Sequence, residues 1–246
     1  MSRGIVYVAF GKEYDRLAAH TIAYSRRFTN LPILVLTNMK QRCLAWNGVK
    51  DIQFIEFDLT QYENRHIKTS LIKYTPFDET LYIDADALIQ REGVEKLFDM
   101  LGNADILVCK CHYWTTILPN LYKKALLLTD TKLPLTIYHG GIWLCRRNEI
   151  TIKLFDTWNS FWKMTGSGRD MPAFNCALTK IPLQIKEVLL EEHVVALDSP
   201  NEKCIIQHNY NTYQDKDFHR IFNLPKINEC KLFDIDPKDW SFVTME

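Results

Sequence analysis

Two aspartates one residue apart, at the end of an apolar run, hold the most chemistry in this sequence. Asp84-Ala85-Asp86 directly follows Thr80-Leu81-Tyr82-Ile83, whose branched and aromatic residues read as a buried strand. Carboxylates placed there lose hydration and repel each other, so they are costly unless an opposite charge sits with them. A divalent cation resolves the conflict. Magnesium and manganese prefer oxygen ligands and commonly share their shell with substrate phosphates, so the pair amounts to half of a metal-diphosphate site. The triplet by itself is a weak signal: Asp215-Lys216-Asp217 and Asp234-Ile235-Asp236 have the same spacing but lie in polar, irregular surroundings and end no core strand. Read without a metal, Asp84 and Asp86 are solvated loop residues capping the helix that follows.

The elements that must position these carboxylates follow from hydrophobic period. Ile5 to Phe10, Ile33 to Thr37, Ile52 to Phe57, Thr80 to Ile83 and Ile106 to Cys109 read as strands. Between them, Lys12 to Phe28 carries Leu17, Thr21, Tyr24 and Phe28 on one helical face, Gln61 to Tyr74 reads as a helix stopped by Thr75-Pro76, and a short helix is expected near Gly93 to Leu101. This alternation predicts an α/β chain with a mostly parallel central sheet flanked by helices, and functional residues at the carboxyl ends of its strands. Further on, Gly140-Gly141 before Ile142-Trp143-Leu144 marks a tight backbone approach leading into a strand. Asn148 is placed to cap a helix whose Leu154, Phe155, Trp158, Phe161 and Trp162 form an apolar, core-facing stripe. Asp170, after Gly166-Ser167-Gly168, suits a helix cap, and short strands are expected at Val194 to Leu197 and Cys204 to Gln207.

Lys68-Thr69-Ser70-Leu71, then Pro76-Phe77-Asp78-Glu79-Thr80, then Leu81-Tyr82-Ile83-Asp84-Ala85-Asp86-Ala87-Leu88 resembles the Asp-x-Asp region of the GT-A glycosyltransferases. It is most similar to the glycogenin and lipopolysaccharide galactosyltransferase branch (family 8-like). The resemblance implies a Rossmann-like GT-A domain spanning residues 1–246, with a nucleotide-binding half at 1–110 and an acceptor-side half with a C-terminal segment at 111–246. It implies that Lys68 reaches the nucleotide or its phosphates. It also implies that Ala9, Phe10, Gly11 and Tyr14 lie where the nucleoside is held, with Phe10 or Tyr14 able to stack on the base, and that Ala85 lies between the two metal-binding carboxylates. His139-Gly140-Gly141 is similar to the Asn-x-Gly segment that approaches the donor sugar, with His139 in place of asparagine. Arg169-Asp170-Met171 looks like the Asp-Gln segment, so Asp170 is the candidate to orient the sugar or take the acceptor's proton, while Met171 removes one polar contact. Cys204 to Tyr210 resembles the strand whose terminal histidine, His208 here, is a third metal ligand. The family's Gly-x-x-Lys-Pro-Trp continuation is missing from Asn209 to Asp215, so a basic group for the leaving diphosphate must come from elsewhere, with Lys203, Lys216 and Arg220 as candidates.

The expected activity is metal-dependent transfer of a sugar from a nucleoside diphosphate sugar, a UDP-sugar on the resemblance, to a hydroxyl of a glycan, lipid or protein. Mn²⁺ or Mg²⁺ is the cofactor, and retention of configuration follows the branch it resembles. The alternatives are a sugar-nucleotide binding module without turnover, or a sugar nucleotidyltransferase. The latter would want a glycine-rich basic phosphate loop where Phe10-Gly11-Lys12-Glu13 has a single glycine. Thirty Lys and Arg balance thirty Asp and Glu, which gives no reason to expect nucleic acid as a partner. Seven cysteines without repeated short spacing fit reduced, partly buried thiols. With no signal peptide or membrane segment read from the sequence, a soluble, cytoplasmic protein is expected.

Overall fold

The structure, a computed structural model, describes residues 1–60, 63–111, 120–132, 135–166, 169–188, 195–197 and 203–208. Strands and helices alternate through the first half: β1 (Arg3–Ala9), α1 (Lys12–Ser25), β2 (Ile33–Thr37), β3 (Ile52–Glu56), α2 (Asn64–Thr69), β4 (Glu79–Ile83), β5 (Ala87–Ile89), α3 (Glu95–Leu101) and β6 (Ile106–Lys110). Then come α4 (Asn120–Leu128), β7 (Tyr138–Arg146), α5 (Glu149–Thr165), α6 (Met171–Lys180), β8 (Ile185–Val188), β9 (Val195–Leu197) and β10 (Ile206–His208). Seven strands form one sheet in the order β3-β2-β1-β4-β7-β6-β8, and β5-β10-β9 form a second. β2 and β4 are buried at every position, which is why the apolar residues of Ile33–Leu36 and Leu81–Ile83 are consecutive rather than alternating. No helix among the described residues is long and apolar enough to cross a membrane.

The chain falls into two compact units, one of Ile5–Asn64, Ile83–Lys96 and Glu191–Glu246, the other of Met1–Gly4, Arg65–Tyr82 and Leu97–Leu190. In the first, β1, β2 and β3 are parallel, with Ile5 opposite Ile33 and Ile33 opposite Ile52. α1 presents two buried hydroxyls to the chain around β5: Thr21 Oγ1 lies 3.1 Å from the Ala85 carbonyl, and Ser25 Oγ accepts from Ile89 N at 2.9 Å. β5 pairs antiparallel with β10, placing His208 opposite Ala87.

In the second unit, β6 pairs parallel with β8 and antiparallel with β7. Its core is an aromatic series. Tyr82 stacks on Trp143 at 4.9 Å, Trp143 meets Phe155 at 5.1 Å, and Trp158 meets Phe174 at 4.6 Å. α5 begins with a reciprocal capping box between Asn148 and Thr151 and ends at Gly166, whose φ of 54° is the left-handed turn glycine favours. Glu79, buried, is held by Arg3 at 3.0 Å and Arg146 at 2.9 Å.

Several boundaries differ from the sequence-based expectations. The helix expected over Gln61 to Tyr74 is α2 followed by a separate 3-10 turn at Leu71–Lys73, because Ser70, at φ −117° and ψ 12°, leaves helical geometry. Gly140 and Gly141 lie inside β7 rather than ahead of it. β5, three residues long, carries too little pattern to be read. The strand expected at Cys204 to Gln207 starts later, with His208 as its last described residue. Cys43, Cys109, Cys111, Cys145, Cys176 and Cys204 are free and buried, as the cysteine spacing suggested.

Candidate functional site

The first unit brings Asp84, Asp86 and His208 together. Asp84 follows the last residue of β4, and the turn that returns the chain into β5 is closed by Ala87 N donating to the Asp84 carbonyl at 3.0 Å. Pairing of β5 with β10 then sets His208 beside that turn, and the pairing is extended by Gln90 N to Ile205 O at 2.9 Å and by Gln90 Nε2 to Cys204 O at 3.0 Å. His208 Nε2 stands 3.3 Å from Asp86 Oδ1 and 3.9 Å from Asp84 Oδ2. One ligand atom from each of the three lies within 4.8 Å of the others. Around a six-coordinate ion with bonds of about 2.1 Å, neighbouring ligands stand about 3 Å apart and opposite ones about 4.2 Å, so the two histidine–carboxylate distances fall in the range one Mg²⁺ or Mn²⁺ requires. The His208 side chain is 3% exposed against 27% for Asp84, so the cluster has a closed floor and a more open rim.

The nucleoside-side residues lie in the same unit. Ala9 and Phe10 are buried, and the Phe10 ring packs on Phe57 at 5.9 Å, so Phe10 belongs to the core; Tyr14 is half-buried. Gly11, at φ 84° and ψ 159°, occupies backbone territory open essentially to glycine alone. Its N–H donates to Asn38 Oδ1 at 2.8 Å, and Asn38 Nδ2 donates to Leu59 O at 3.0 Å, tying together the segments that follow β1, β2 and β3. Asp15, fully buried, accepts from Cys43 N and Trp46 Nε1, each at 2.9 Å. Burial raises its pKa above the usual carboxyl value, and burial also pushes the Cys43 thiol up to about 12.

The second unit holds a different polar cluster. Lys68, in the last turn of α2, places Nζ 3.1 Å from Asp170 Oδ2 and 5.0 Å above the Tyr82 ring, an ion pair with a cation-π contact behind it. Arg65, one turn earlier, places Nε 3.8 Å from Asp170 Oδ1. Asp170 occupies the N-cap position of α6 yet makes no side-chain capping bond; its carboxylate is turned to the two cations instead. The simple capping role suggested by its position is therefore absent. Gly141 N donates to His139 Nδ1 at 3.1 Å, which puts the ring proton of a neutral His139 on Nε2. A Cβ on Gly140 would meet Met171 at 3.4 Å, an ordinary van der Waals contact, so β7 runs beside the residue that follows Asp170.

Asp84, Ala85, Asp86 and His208 thus lie in one cluster, and Lys68, Asp170, His139, Gly140 and Gly141 in the other unit. Lys203 is exposed, and its carbonyl accepts from Arg91 at 2.9 Å. Lys216 and Arg220, with the triplets at 215–217 and 234–236, lie outside the described residues. Arg65, Asn38 and Asp15 were not singled out from sequence. Arg65 carried a legible signal, being three residues before Lys68 and so on the same helix face.

This architecture matches solved glycosyltransferase structures. The galactosyltransferase LgtC in complex with donor and acceptor sugar analogues is 14% identical, with a TM-score of 0.61 over 96% of this chain and 98% of that one. The bifunctional glycosyltransferase WbbM in its apo form is 13% identical, with a TM-score of 0.60 over 91% of this chain and 51% of that one. The apo-form glycosyltransferase GlyE of Streptococcus pneumoniae TIGR4 is 13% identical, with a TM-score of 0.59 over 85% of this chain and 55% of that one. No protein-family profile matches the sequence, and no curated protein matches it. The fold is the GT-A fold of glycosyltransferases, as the Asp-x-Asp resemblance implied.

Proposed function

We propose that this chain is a metal-dependent glycosyltransferase that moves a sugar from a UDP-sugar to a hydroxyl of a glycan, lipid or protein, with retention of configuration. The observation that carries the reading is the convergence of Asp84 and Asp86 with His208, from a distant part of the chain, in a cluster whose ligand atoms lie within 4.8 Å of one another. The neighbouring folds, crystallised in one case with donor and acceptor sugar analogues, support it as analogy. Asp84 and Asp86 supply carboxylate oxygens and His208 its Nε2. When bound, the ion supplies positive charge against the diphosphate that departs as the glycosyl bond breaks. Tyr14 offers a half-buried ring to the base. Lys68 and Arg65 supply the positive charge of the second unit's cluster. Asp170, its oxygens engaged by both cations, is suited to holding the sugar rather than to removing the acceptor's proton. His139 Nε2–H offers a donor to a sugar hydroxyl where the related branch has an asparagine.

The test is release of nucleoside diphosphate from a panel of nucleoside diphosphate sugars, with and without Mn²⁺. Water serves as a poor acceptor in such assays. Metal-dependent release from one donor is expected, and Asp84→Ala with Asp86→Ala should lower it by about a hundredfold or more, the usual effect of losing a preorganised stabilising group. Metal-dependent nucleotide binding by calorimetry without turnover would reduce the chain to a binding module. Absence of both would end the metal assignment.

A further inference from the structure

Lys68 and Asp170 sit on two short pieces of backbone, and both pieces are fastened to one turn of α5. α2 has six residues and is too short to hold helical geometry unaided. Asn159 on α5 aims Nδ2 at the end of α2, with Thr69 Oγ1 at 2.6 Å, Ser70 Oγ at 3.0 Å, His66 Nδ1 at 3.1 Å and His66 O at 3.5 Å. An amide nitrogen has two hydrogens, so these acceptors share them and enclose Lys68 in sequence on both sides. The preceding residue, Trp158, donates Nε1–H to the Asp170 carbonyl at 3.0 Å. Trp158 is itself fixed, fully buried against Phe155 at 5.6 Å and Phe174 at 4.6 Å. Consecutive helical residues point about 100° apart, so Trp158 and Asn159 reach different neighbours from one rigid turn. α5 has no need of Asn159 for its own stability, since it is capped at both ends.

We infer that Asn159 is a positioning residue, setting the end of α2 so that the Lys68 ammonium stands against Asp170, whose backbone Trp158 holds from the same helix. The ion pair is thereby registered to α5 rather than to the flexible length of a lysine side chain. The test is native-state acylation of lysines, read residue by residue by mass spectrometry, in wild type, Asn159→Leu and Thr69→Val. Thr69→Val removes the shortest of the contacts from the opposite side with little change of shape, and it decides the matter if Asn159→Leu does not fold. The Lys68 rate should rise about tenfold in each folded variant, the scale of one or two net hydrogen bonds, while Lys180, exposed on α6, stays within about twofold. A Lys68 rate that stays at the wild-type level in either folded variant, or that rises in step with Lys180, overturns the inference. The expected consequence for turnover, a lower kcat with donor KM little changed, rests on the transfer reading. The labelling does not, so an inactive wild type with the expected labelling would overturn the transfer reading alone.

Discussion

Asp15 ties the start of α1 to the segment around Cys43 and Trp46. Its carboxylate accepts from the Cys43 backbone and the Trp46 indole from inside the protein, and burial raises its pKa above 3.8. A carboxyl whose folded value is raised stabilises the fold most when protonated: the contribution is fully present below 3.8 and is lost as pH rises through the raised value. Asp15→Ala should cost about 2–3 kcal/mol in urea unfolding, because it leaves two buried N–H groups without an acceptor. Asp15→Asn keeps one oxygen and cannot titrate. The stability gap between wild type and Asp15→Asn should therefore narrow as pH is raised from about 4, and a gap that widens would contradict the raised value. Lys68 and Asp170 make a second test at this scale. Lys68→Met should destabilise by about 3 kcal/mol, since it removes the nearer of two cations from a buried carboxylate, and Lys68→Met with Asp170→Asn should recover much of that loss. A double variant as unstable as the sum of the two singles would mean that the pair is not coupled. These partners could not be read as partners from sequence, because neither position names the other. Asp84 and Asp86 could be, because the apolar strand directly before them states where they must point. Asn159 looks like any polar residue on a helix, and only its contacts distinguish it.

Elements place these residues through backbone geometry as much as through side chains. Gly11 lies between β1 and α1, at the N-cap position of α1 with a φ of 84°, and its N–H donates to Asn38. Gly11→Ala should cost about 1–3 kcal/mol of strain, read as a lower urea midpoint at unchanged m value. If alanine is tolerated without loss, that loop is not held as described. The strands of the first half were legible because their branched and aromatic residues are bunched and flanked by polar turns, as in Ile33–Thr37. What hydrophobic period does not encode is direction. β7 runs antiparallel to β6, and nothing in Tyr138–Arg146 distinguishes that from the parallel strand an alternating pattern leads one to expect. A short element fails for a related reason: β5, three residues long, is defined by its pairing with β10 and not by anything within it.

For the molecule as a whole, the fold was legible where the individual contacts were not. Glycosyltransferases only 13–14% identical share this architecture, so the order of strands and helices persists while most side chains that fill it are replaced. Composition narrowed the partners only by sign of charge, since thirty basic and thirty acidic residues cancel. The third candidate ligand, His208, enters the cluster from roughly 120 residues beyond Asp86, so an ion held by all three would brace the long loop that pairing of β5 with β10 closes. Such a loop is costly to form early and is more naturally completed after the rest of the core. The ion would then act as a latch fitted at the end of assembly. Manganese should slow unfolding and leave the refolding rate almost unchanged in stopped-flow chevrons, because contacts made after the transition state act on the exit and not on the entry. Acceleration of refolding by the metal would place the latch at the beginning instead. In a cell, a late latch makes lifetime follow metal supply: the chain would fold equally well in manganese-poor and manganese-rich conditions, and differ in how long it stays folded.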